Sequence, residues 1–386
     1  MTARGATAAI GVACLLAASA AGACDLHAAD AGAAGPGCGQ AWMDRNLRLN
    51  DILTVGTHNS YKQAIPPPIM ALIRAAAPKS AFGLDYHHGP LADQLDDGAR
   101  ALELDLAMDP KGGLYAHPMG MKLAGLTPSA AYVAAMSRPG VKVLHVQDVD
   151  FGSSCLAFVD CLRIIRAWSL AHPRHTPILI TMNTNDEKAH LPGGVDEPAF
   201  DTAAYDAVDV EIASVFPRNA LITPDQVRGR FPTLREAVLK RGWPTLGAAR
   251  GKVLFAVDEE PPQIAAYRAG RRSLEGRLMF VNTDEASPAS AYITLNETTD
   301  VPRITADVKA GLLVRTRADA DTVEARADDT RRREAALASG AQYVSTDYRH
   351  PDPRWPAYQV RLPGGAVTVC NPQRRPERCA GLPIEP

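Results

Sequence analysis

The sequence lacks an excess of charge of either sign. Its 386 residues include 41 lysines and arginines against 43 aspartates and glutamates, which gives a formal net charge of −2. Proteins that bind nucleic acids usually carry a basic excess or a stripe of Lys and Arg. Neither feature is present, so we expect no nucleic-acid partner.

Long hydrophobic runs and zinc-type spacings are also missing. After the N-terminus the sequence has no uninterrupted apolar stretch of about 20 residues, the length that a membrane span needs. No pair of Cys or His residues has the spacing of a zinc finger. The apolar fraction of 46% is nevertheless enough for a full core, which excludes a disordered chain.

The first 23 residues have the pattern of a secretory signal peptide. Arg4 provides a positive charge, residues 8–20 form a short apolar run, and residues 21–23 (Ala-Gly-Ala) are small enough for a cleavage site. We therefore predict a secreted protein, extracellular or periplasmic. Acylation of Cys24 is a less favoured alternative, because Ala21 stands where a lipobox usually carries Leu.

Signal-peptide cleavage leaves six cysteines. An even number in an oxidising compartment predicts disulfides. Their clustering along the chain favours three local pairs, which are Cys24–Cys38, Cys155–Cys161 and Cys370–Cys379.

Short apolar runs alternate with helical patterns along the rest of the chain. Eight runs are rich in Val, Ile or Leu, which suits strands buried on both faces of a parallel sheet. They cover residues 52–56, 101–106, 141–146, 177–182, 252–257, 277–281, 311–315 and 341–345. This alternation predicts a single (β/α)8 TIM barrel, with a doubly wound α/β sheet as the runner-up. The predicted organisation is an N-terminal extension at 24–50, a barrel domain at 51–349, and a C-terminal tail at 350–386 that packs on the barrel.

Two acidic residues on the second predicted strand are the strongest candidates for chemistry. Glu103 and Asp105 are two residues apart, so both carboxylates point into the barrel. Two carboxylates in an interior need a cation or strong hydrogen-bonding partners, and oxygen ligands favour Ca²⁺. The alternative is that an arginine, for example Arg100 or Arg317, neutralises the pair.

Two histidines and two arginines follow predicted strands in the same way. His58 and His117 are candidates for a general base and a general acid, since imidazole titrates near neutral pH. Arg315 and Arg317 share a face, and Arg317 is the candidate for binding a phosphate or hydroxyls, with a salt bridge as an equally weighted alternative. Asp258, Asp347 and Tyr348 also follow predicted strands and are weaker candidates for contacts with a ligand.

An apolar segment at 66–73 follows the first predicted strand. Such a segment beside a barrel mouth can contact a membrane surface transiently. The favoured alternative is that Ile69, Leu72 and Ile73 form the face of the first barrel helix and pack on the sheet, because Arg74 is the one basic residue nearby.

The order of several motifs resembles phosphatidylinositol-specific phospholipase C-like phosphodiesterases, and most closely their secreted, calcium-dependent branch. The matching segments are Thr57-His58-Asn59-Ser60-Tyr61, Leu102-Glu103-Leu104-Asp105, Ala116-His117-Pro118, His145-Val146-Gln147-Asp148, Gly242-Trp243-Pro244-Thr245, Val314-Arg315-Thr316-Arg317, Val344-Ser345-Thr346-Asp347-Tyr348, Leu362-Pro363-Gly364-Gly365 and Cys370-Asn371-Pro372. The resemblance covers nearly the whole mature chain.

This resemblance implies His58 and His117 as the catalytic pair, and Asn59, Glu103 and Asp105 as Ca²⁺ ligands. The family commonly has a further Glu at the end of the fourth strand, where this chain has Asn183. An amide oxygen still binds Ca²⁺, but the site has one negative charge fewer. If the alignment shifts, Asp186 or Glu187 takes that place.

The activity implied is that of a phosphoric diester hydrolase. A headgroup hydroxyl attacks phosphorus, a cyclic phosphate forms, and diacylglycerol leaves. The expected partner is a phospholipid or another phosphodiester, and the expected state is a monomer. One alternative is a glycerophosphodiester phosphodiesterase-like hydrolase, although the His-Arg-Gly and Pro-Glu-Asn-Thr segments usual there are absent. Another is a catalytically weakened barrel that binds headgroups.

Overall fold

Strands and helices alternate over residues 23–385, the part of the chain that the computed structural model describes. The predicted signal peptide, apart from Ala23, lies outside the described residues. The strands are β1 (Ile52–Thr57), β2 (Ala101–Ala107), β3 (Lys142–Val143), β4 (Ile178–Asn185), β5 (Val253–Val257), β6 (Met279–Val281), β7 (Tyr292–Thr294), β8 (Leu313–Arg317), β9 (Tyr343–Thr346) and β10 (Thr368–Cys370).

The α-helices are α1 (Gly39–Asn46), α2 (Pro67–Ala76), α3 (Pro78–Gly83), α4 (Leu91–Asp96), α5 (Met119–Leu123), α6 (Ala130–Met136), α7 (Phe158–Ala171), α8 (Thr202–Val215), α9 (Pro224–Arg228), α10 (Leu234–Lys240), α11 (Leu246–Ala249), α12 (Pro261–Arg268), α13 (Val301–Ala310), α14 (Val323–Ala327) and α15 (Arg331–Ser339). Short 3-10 helices cover Leu49–Asp51, Arg218–Ala220, Thr298–Asp300, Pro363–Gly365 and Pro376–Cys379. None of these helices is long and apolar enough to cross a bilayer within residues 23–385.

The strands form two five-stranded sheets, in the orders β10-β1-β9-β8-β7 and β3-β2-β4-β5-β6. Eight of the ten strands run parallel to their neighbours, while β10 is antiparallel to β1 and β3 is antiparallel to β2. Single backbone hydrogen bonds connect the two sheets between β1 and β2, for example from Arg100 N to Val55 O (3.1 Å). An isolated bridge between Asn282 and Tyr292 connects β6 and β7. The α/β fold is as predicted, but a closed barrel is not confirmed, because no continuous ladder joins the sheets at these two places in the described chain.

One strand prediction was wrong, and one parallel strand was not predicted. Residues 141–146 were predicted to form the third barrel strand, but only Lys142–Val143 is a strand, and it lies antiparallel on the carboxyl end of β2. The chain then turns, because Asp150 N bonds to Val146 O (2.9 Å). The parallel strand missing from the prediction is β7, whose three residues are too short to produce a recognisable pattern.

Close contact between β1 and β2 depends on a glycine. A Cβ on Gly56 would lie 2.0 Å from the carbonyl oxygen of Ala101, so no other residue fits there without moving the backbone. This approach brings the end of β1, with His58 and Asn59, beside the carboxylates of β2.

Two of the three disulfides and the last residues of the tail lie at the opposite, amino-terminal end of the strands, whereas Cys155–Cys161 lies beside β3. The structure confirms the predicted pairs Cys24–Cys38, Cys155–Cys161 and Cys370–Cys379. In the tail, β10 pairs with β1, and the carboxylate of Glu385 accepts hydrogen bonds from Arg100 Nε (2.9 Å) and Thr176 N (2.8 Å). Arg100 and Thr176 precede β2 and β4, so the end of the tail covers the amino-terminal ends of these strands. The first tail residues, 350–353, instead lie beside Thr57 and Asp347 at the carboxyl end.

Candidate active site

A polar cavity of about 340 Å³ lies at the carboxyl ends of the parallel strands. It brings together all four predicted metal ligands, one of the two predicted catalytic histidines and the predicted substrate-binding arginine. Its lining residues are His58, Asn59, Glu103, Asp105, His145, Val146, Gln147, Asn183, Asn185, Glu187, Glu197, Asp258, Asn296, Arg315 and Arg317. We call this space the headgroup cavity.

Strand register places the oxygen-bearing side chains next to one another. Glu103 and Asp105 alternate with leucines on β2, and Asp105 lies opposite Asn183 on the parallel strand β4. Asn59 follows β1 with φ 45°, a left-handed conformation that Asn tolerates better than most residues. Residues on or directly after three strands, β1, β2 and β4, therefore place candidate ligands at the carboxyl ends of the two sheets.

The donor set fits a hard cation such as Ca²⁺. Asp105 is 5% exposed, and its Oδ1 has no hydrogen-bond partner within residues 23–385. Burial, and the nearby charge of Glu103, raise the pKa of Asp105 to about 7. The amide of Asn59 donates to the Tyr86 hydroxyl (2.9 Å), and that of Asn183 donates to Asp258 O (2.7 Å). Both amide oxygens are therefore left to bind a cation.

The acid pair is only half neutralised by arginine. Glu103 accepts a hydrogen bond from Arg315 Nη2, and Arg315 Nη1 also donates to Asn296 Oδ1 (2.8 Å). The alternative prediction, that an arginine neutralises the acid pair, therefore holds for Glu103 only. The arginine is Arg315 and not Arg100 or Arg317. Among the described residues, no cluster of three or more His, Cys, Asp or Glu side chains could hold a metal ion, so binding depends on the amide oxygens as well.

His58 is held by an acid on one ring nitrogen. Its Nδ1 lies 2.8 Å from Asp347 Oδ1, which orients Nδ1–H toward the carboxylate, and its Nε2 lies 3.7 Å from Glu103 Oε1. Burial, followed by the positive charge of Arg317, holds the pKa of His58 well below its usual value. The charge of Glu103 acts in the opposite direction but does not outweigh these two effects. His58 is therefore neutral near pH 7.

Arg317 is anchored by the other oxygen of Asp347. The distance from Arg317 Nη2 to Asp347 Oδ2 is 3.2 Å, so one carboxylate orients both His58 and Arg317. Asp347 follows β9 and was given little weight from the sequence. The predicted salt bridge and the predicted position at the cavity are both found for Arg317, which lines the cavity while paired.

The structure does not bring His117 to this cavity. Its side chain is exposed in the loop before α5. The second histidine of the cavity is His145, whose Nδ1 lies 2.7 Å from Asp150 Oδ2. The position of His117 could not be inferred from the sequence, because its place after β2 does not determine the path of this long loop, and its catalytic role stays a prediction. His145 lies in a segment already noted for its resemblance, but no spacing in the sequence distinguishes it as a catalytic candidate.

The environment of His145 differs from that of His58. Burial lowers the pKa of His145, but the hydrogen bond to Asp150 and the charge of that carboxylate outweigh burial, so the net pKa is above the usual value. The same carboxylate accepts a hydrogen bond from the buried Lys62 Nζ (3.1 Å), which fixes its position. The two imidazoles are therefore biased toward opposite protonation states.

The loop after β4 contributes a buried carboxylate that sequence reasoning missed. Glu197 is 6% exposed, and its Oε2 accepts a hydrogen bond from Glu187 N (3.2 Å). Glu187, an alternative ligand from the sequence, lines the cavity with it, whereas the other alternative, Asp186, is not among the lining residues.

Comparisons with known proteins identify the family of the chain. A family model described as phosphoinositide phospholipase C, Ca2+-dependent, matches residues 47–372. The structure of a calcium-dependent phosphoinositol-specific phospholipase C from the Gram-negative bacterium Pseudomonas sp has a TM-score of 0.53 at 16% identity, over 85% of this chain and 96% of that one. A Ca²⁺-dependent phosphatidylinositol-specific phospholipase C from Streptomyces antibioticus has a TM-score of 0.50 at 20% identity, over 78% of this chain and 95% of that one. No curated protein sequence is a significant match.

The fold and the site together thus define an enzyme of the phosphodiesterase class. Because the family model covers most of the chain, the protein belongs to the Ca²⁺-dependent phosphoinositide phospholipase C family. The alternative prediction, a glycerophosphodiester phosphodiesterase-like hydrolase, is therefore not the family of this chain.

Proposed function

We propose that this chain is a secreted, Ca²⁺-dependent phosphodiesterase that cleaves a phosphatidylinositol-type lipid between phosphate and diacylglycerol. The observation that carries the proposal is the pairing of two histidines, each oriented by a carboxylate on Nδ1, in the cavity that holds Arg317 and the ligand oxygens. The family assignment supports the substrate class.

The opposite directions of the two pKa shifts, together with the two carboxylate contacts on Nδ1, support opposite roles for the histidines. His58 is neutral and its Nε2 is unprotonated, so His58 is the general base that removes the proton of the attacking headgroup hydroxyl. His145 carries its proton at higher pH and is the general acid. This replaces the predicted acid, His117, with His145.

The proposed reaction needs no water in its first step. His58 Nε2 takes the proton from the inositol 2-hydroxyl, and the oxygen of this hydroxyl attacks phosphorus. The bond from phosphorus to the glycerol oxygen breaks, and His145 donates a proton to that oxygen. The products are a cyclic inositol phosphate and diacylglycerol. Arg317 binds the phosphoryl oxygens, where negative charge increases in the transition state.

Asn59, Glu103, Asp105 and Asn183 would hold the Ca²⁺ ion. When bound, Ca²⁺ lowers the pKa of a coordinated hydroxyl and neutralises charge on the phosphoryl group. In this chain, Arg315 occupies Glu103 Oε2, so Glu103 would ligate the ion through Oε1, and Asp105 Oδ1 is without a protein partner in the described structure.

The barrel and the location of the protein are part of the same proposal. We infer that the eight parallel strands form a barrel with two incompletely bonded seams, supported by the single bonds between β1 and β2 and by the bridge between β6 and β7. Three disulfides favour an oxidising compartment, in keeping with secretion. The monomeric state of the protein likewise stays a prediction.

Transient contact with a membrane surface is supported by α2 and α3. These helices belong to a separate apolar cluster beside the mouth, which includes Ile69 and Phe151, and not to the main core. Leu72 on α2 and Phe82 on α3 are each 42% exposed. The favoured prediction that Leu72 packs on the sheet is therefore wrong, because α2 lies over the mouth.

Product analysis tests the function. Vesicles containing phosphatidylinositol are incubated with the protein in Ca²⁺ or in a chelator, and phosphorus NMR identifies the product. We expect a cyclic inositol phosphate, formed only with Ca²⁺. Glu103→Gln and His58→Ala should lose turnover while keeping a cooperative thermal transition. Wild-type rates in both variants, or release of glycerol 3-phosphate, would contradict the proposal.

A further inference from the structure

We propose that a second, apolar cavity beside the headgroup cavity binds the diacylglycerol part of the substrate, which is the leaving group. This inference rests on the proposed function and adds a binding site to it. The cavity has a volume of about 780 Å³ and lies between the α2–α3 segment and the loop after β4. We call it the leaving-group groove.

The groove is continuous with the headgroup cavity through the catalytic side chains. Five residues line both spaces, namely His58, His145, Val146, Glu187 and Arg317. The two proposed acid–base groups and the proposed phosphate-binding arginine thus lie at the junction. A phosphorus atom that these three side chains contact must also lie at the junction.

The two spaces differ in chemistry. Side chains unique to the headgroup cavity are polar or charged, such as Asn59, Asp105 and Arg315. The apolar residues unique to the groove are Ile73, Ala76, Ala77, Leu84, Val149 and Leu191. Polar side chains, namely Lys79, Ser80, Tyr86, His190, Asp321 and Asp347, also line it, but its exposed lining is mostly apolar, whereas that of the headgroup cavity is mostly polar. Polyhydroxylated inositol therefore suits the first space, and hydrocarbon suits the second.

The geometry of phosphoryl transfer requires such a division. The attacking and leaving oxygens lie roughly in line on opposite sides of phosphorus. A headgroup on one side of the junction places the glycerol oxygen on the other side. The acyl chains attached to that glycerol then enter the groove, where burial of apolar surface favours binding.

Small side chains at the end of α2 create this space. The helix ends at Ala76, and Ala77, with φ −143°, connects it to α3, which begins at Pro78. Ala76 is exposed and lines the groove, whereas the neighbouring Ala75 is also exposed but is absent from the lining. A larger residue at 76 fills the groove, and the same residue at 75 provides a matched control.

The test compares Ala76→Trp with Ala75→Trp on monomeric phosphatidylinositols of increasing acyl length. A soluble inositol phosphodiester with a small alcohol serves as the reference substrate. In the wild type and in Ala75→Trp, kcat/KM should rise by up to about fourfold for each methylene that enters the groove. In Ala76→Trp this rise should be lost, giving at least a tenfold deficit on the longest monomeric lipid and little change on the reference substrate.

A binding measurement makes the result independent of turnover. Calorimetric titration with dihexanoylglycerol should detect binding to the wild type and to Ala75→Trp, and at least tenfold weaker binding to Ala76→Trp. Equal chain-length dependence in both variants, or equal diglyceride binding, would overturn the groove while leaving the proposed function intact. Selective diglyceride binding without cleavage of any inositol lipid would support the groove and reject the proposed function.

Discussion

Replacing His145 with asparagine should remove the general acid while keeping a polar group beside Asp150. Loss of a positioned acid or base typically reduces turnover by about 10²- to 10⁴-fold, and we expect kcat for a phosphatidylinositol substrate to fall within this range. The matched change His117→Asn should leave kcat within a factor of about two, since His117 is exposed and outside the cavity. The assay is release of cyclic inositol phosphate at saturating Ca²⁺.

The substitution His145→Asn should also lower the free energy of unfolding by a limited amount. His145 donates a hydrogen bond to Asp150, which also accepts one from Lys62, so the carboxylate keeps a partner after the substitution. Weakening one hydrogen bond to a charged group costs about 1.5–3 kcal/mol of unfolding free energy. Urea denaturation measures this loss and shows whether the variant is folded under assay conditions.

The leaving group distinguishes an acid from a structural residue. A nitrophenyl ester of inositol phosphate has a leaving oxygen that needs no proton, so His145→Asn should cleave it within about tenfold of the wild-type rate. The variant should also lose the alkaline limb of the pH profile that deprotonation of His145 produces. An unchanged rate in His145→Asn, a large loss in His117→Asn, or equal losses on both substrates would refute the assignment.

Three further predictions concern binding and stability. Ca²⁺ should raise the unfolding free energy of the wild type, by about 2.7 kcal/mol at a hundred times its dissociation constant, and Asp105→Asn should abolish this shift in a melting experiment. Burial lowers the pKa of His175 to about 4, so the unfolded chain binds more protons between pH 6.5 and 4. Stability should thus fall by about 3 kcal/mol as pH falls through this window, and His175→Gln should flatten that dependence in urea titrations at several pH values. Glu385→Gln leaves Arg100 without its charged partner and should lower the free energy of unfolding, measured by urea denaturation, by about 3 kcal/mol. KM should stay unchanged because Glu385 is remote from the site, and an altered KM would contradict that arrangement.

The sequence alone was enough to predict a site residue wherever a strand determines the direction of its side chain. Glu103 and Asp105 could be assigned to one face of β2 because side chains alternate along a strand. His58, Asn59 and Arg317 could be placed at the mouth because they lie at or directly after strand ends. The disulfides were predictable because each pair closes a short loop.

Longer loops could not be predicted in the same way. His117 and His145 both follow β2, and only the bond from His145 to Asp150 and the turn at Val146 decide which of them reaches the cavity. These contacts join residues that no periodic pattern relates. The third predicted strand failed for the same reason, since an apolar run of six residues is compatible with a strand or with a buried loop.

The number of negative charges at the proposed ion site bears on how tightly Ca²⁺ binds. Asn183 contributes no charge, and Glu103 shares its carboxylate with Arg315, so Asp105 is the one predicted ligand with an unshared negative charge in the described cavity. A site with fewer effective charges binds Ca²⁺ more weakly. A substrate phosphate adds negative charge where Arg315 and Arg317 line the cavity. If the substrate phosphate draws Arg315 away from Glu103, the carboxylate of Glu103 becomes free to bind the ion. Substrate and Ca²⁺ should therefore each strengthen the binding of the other.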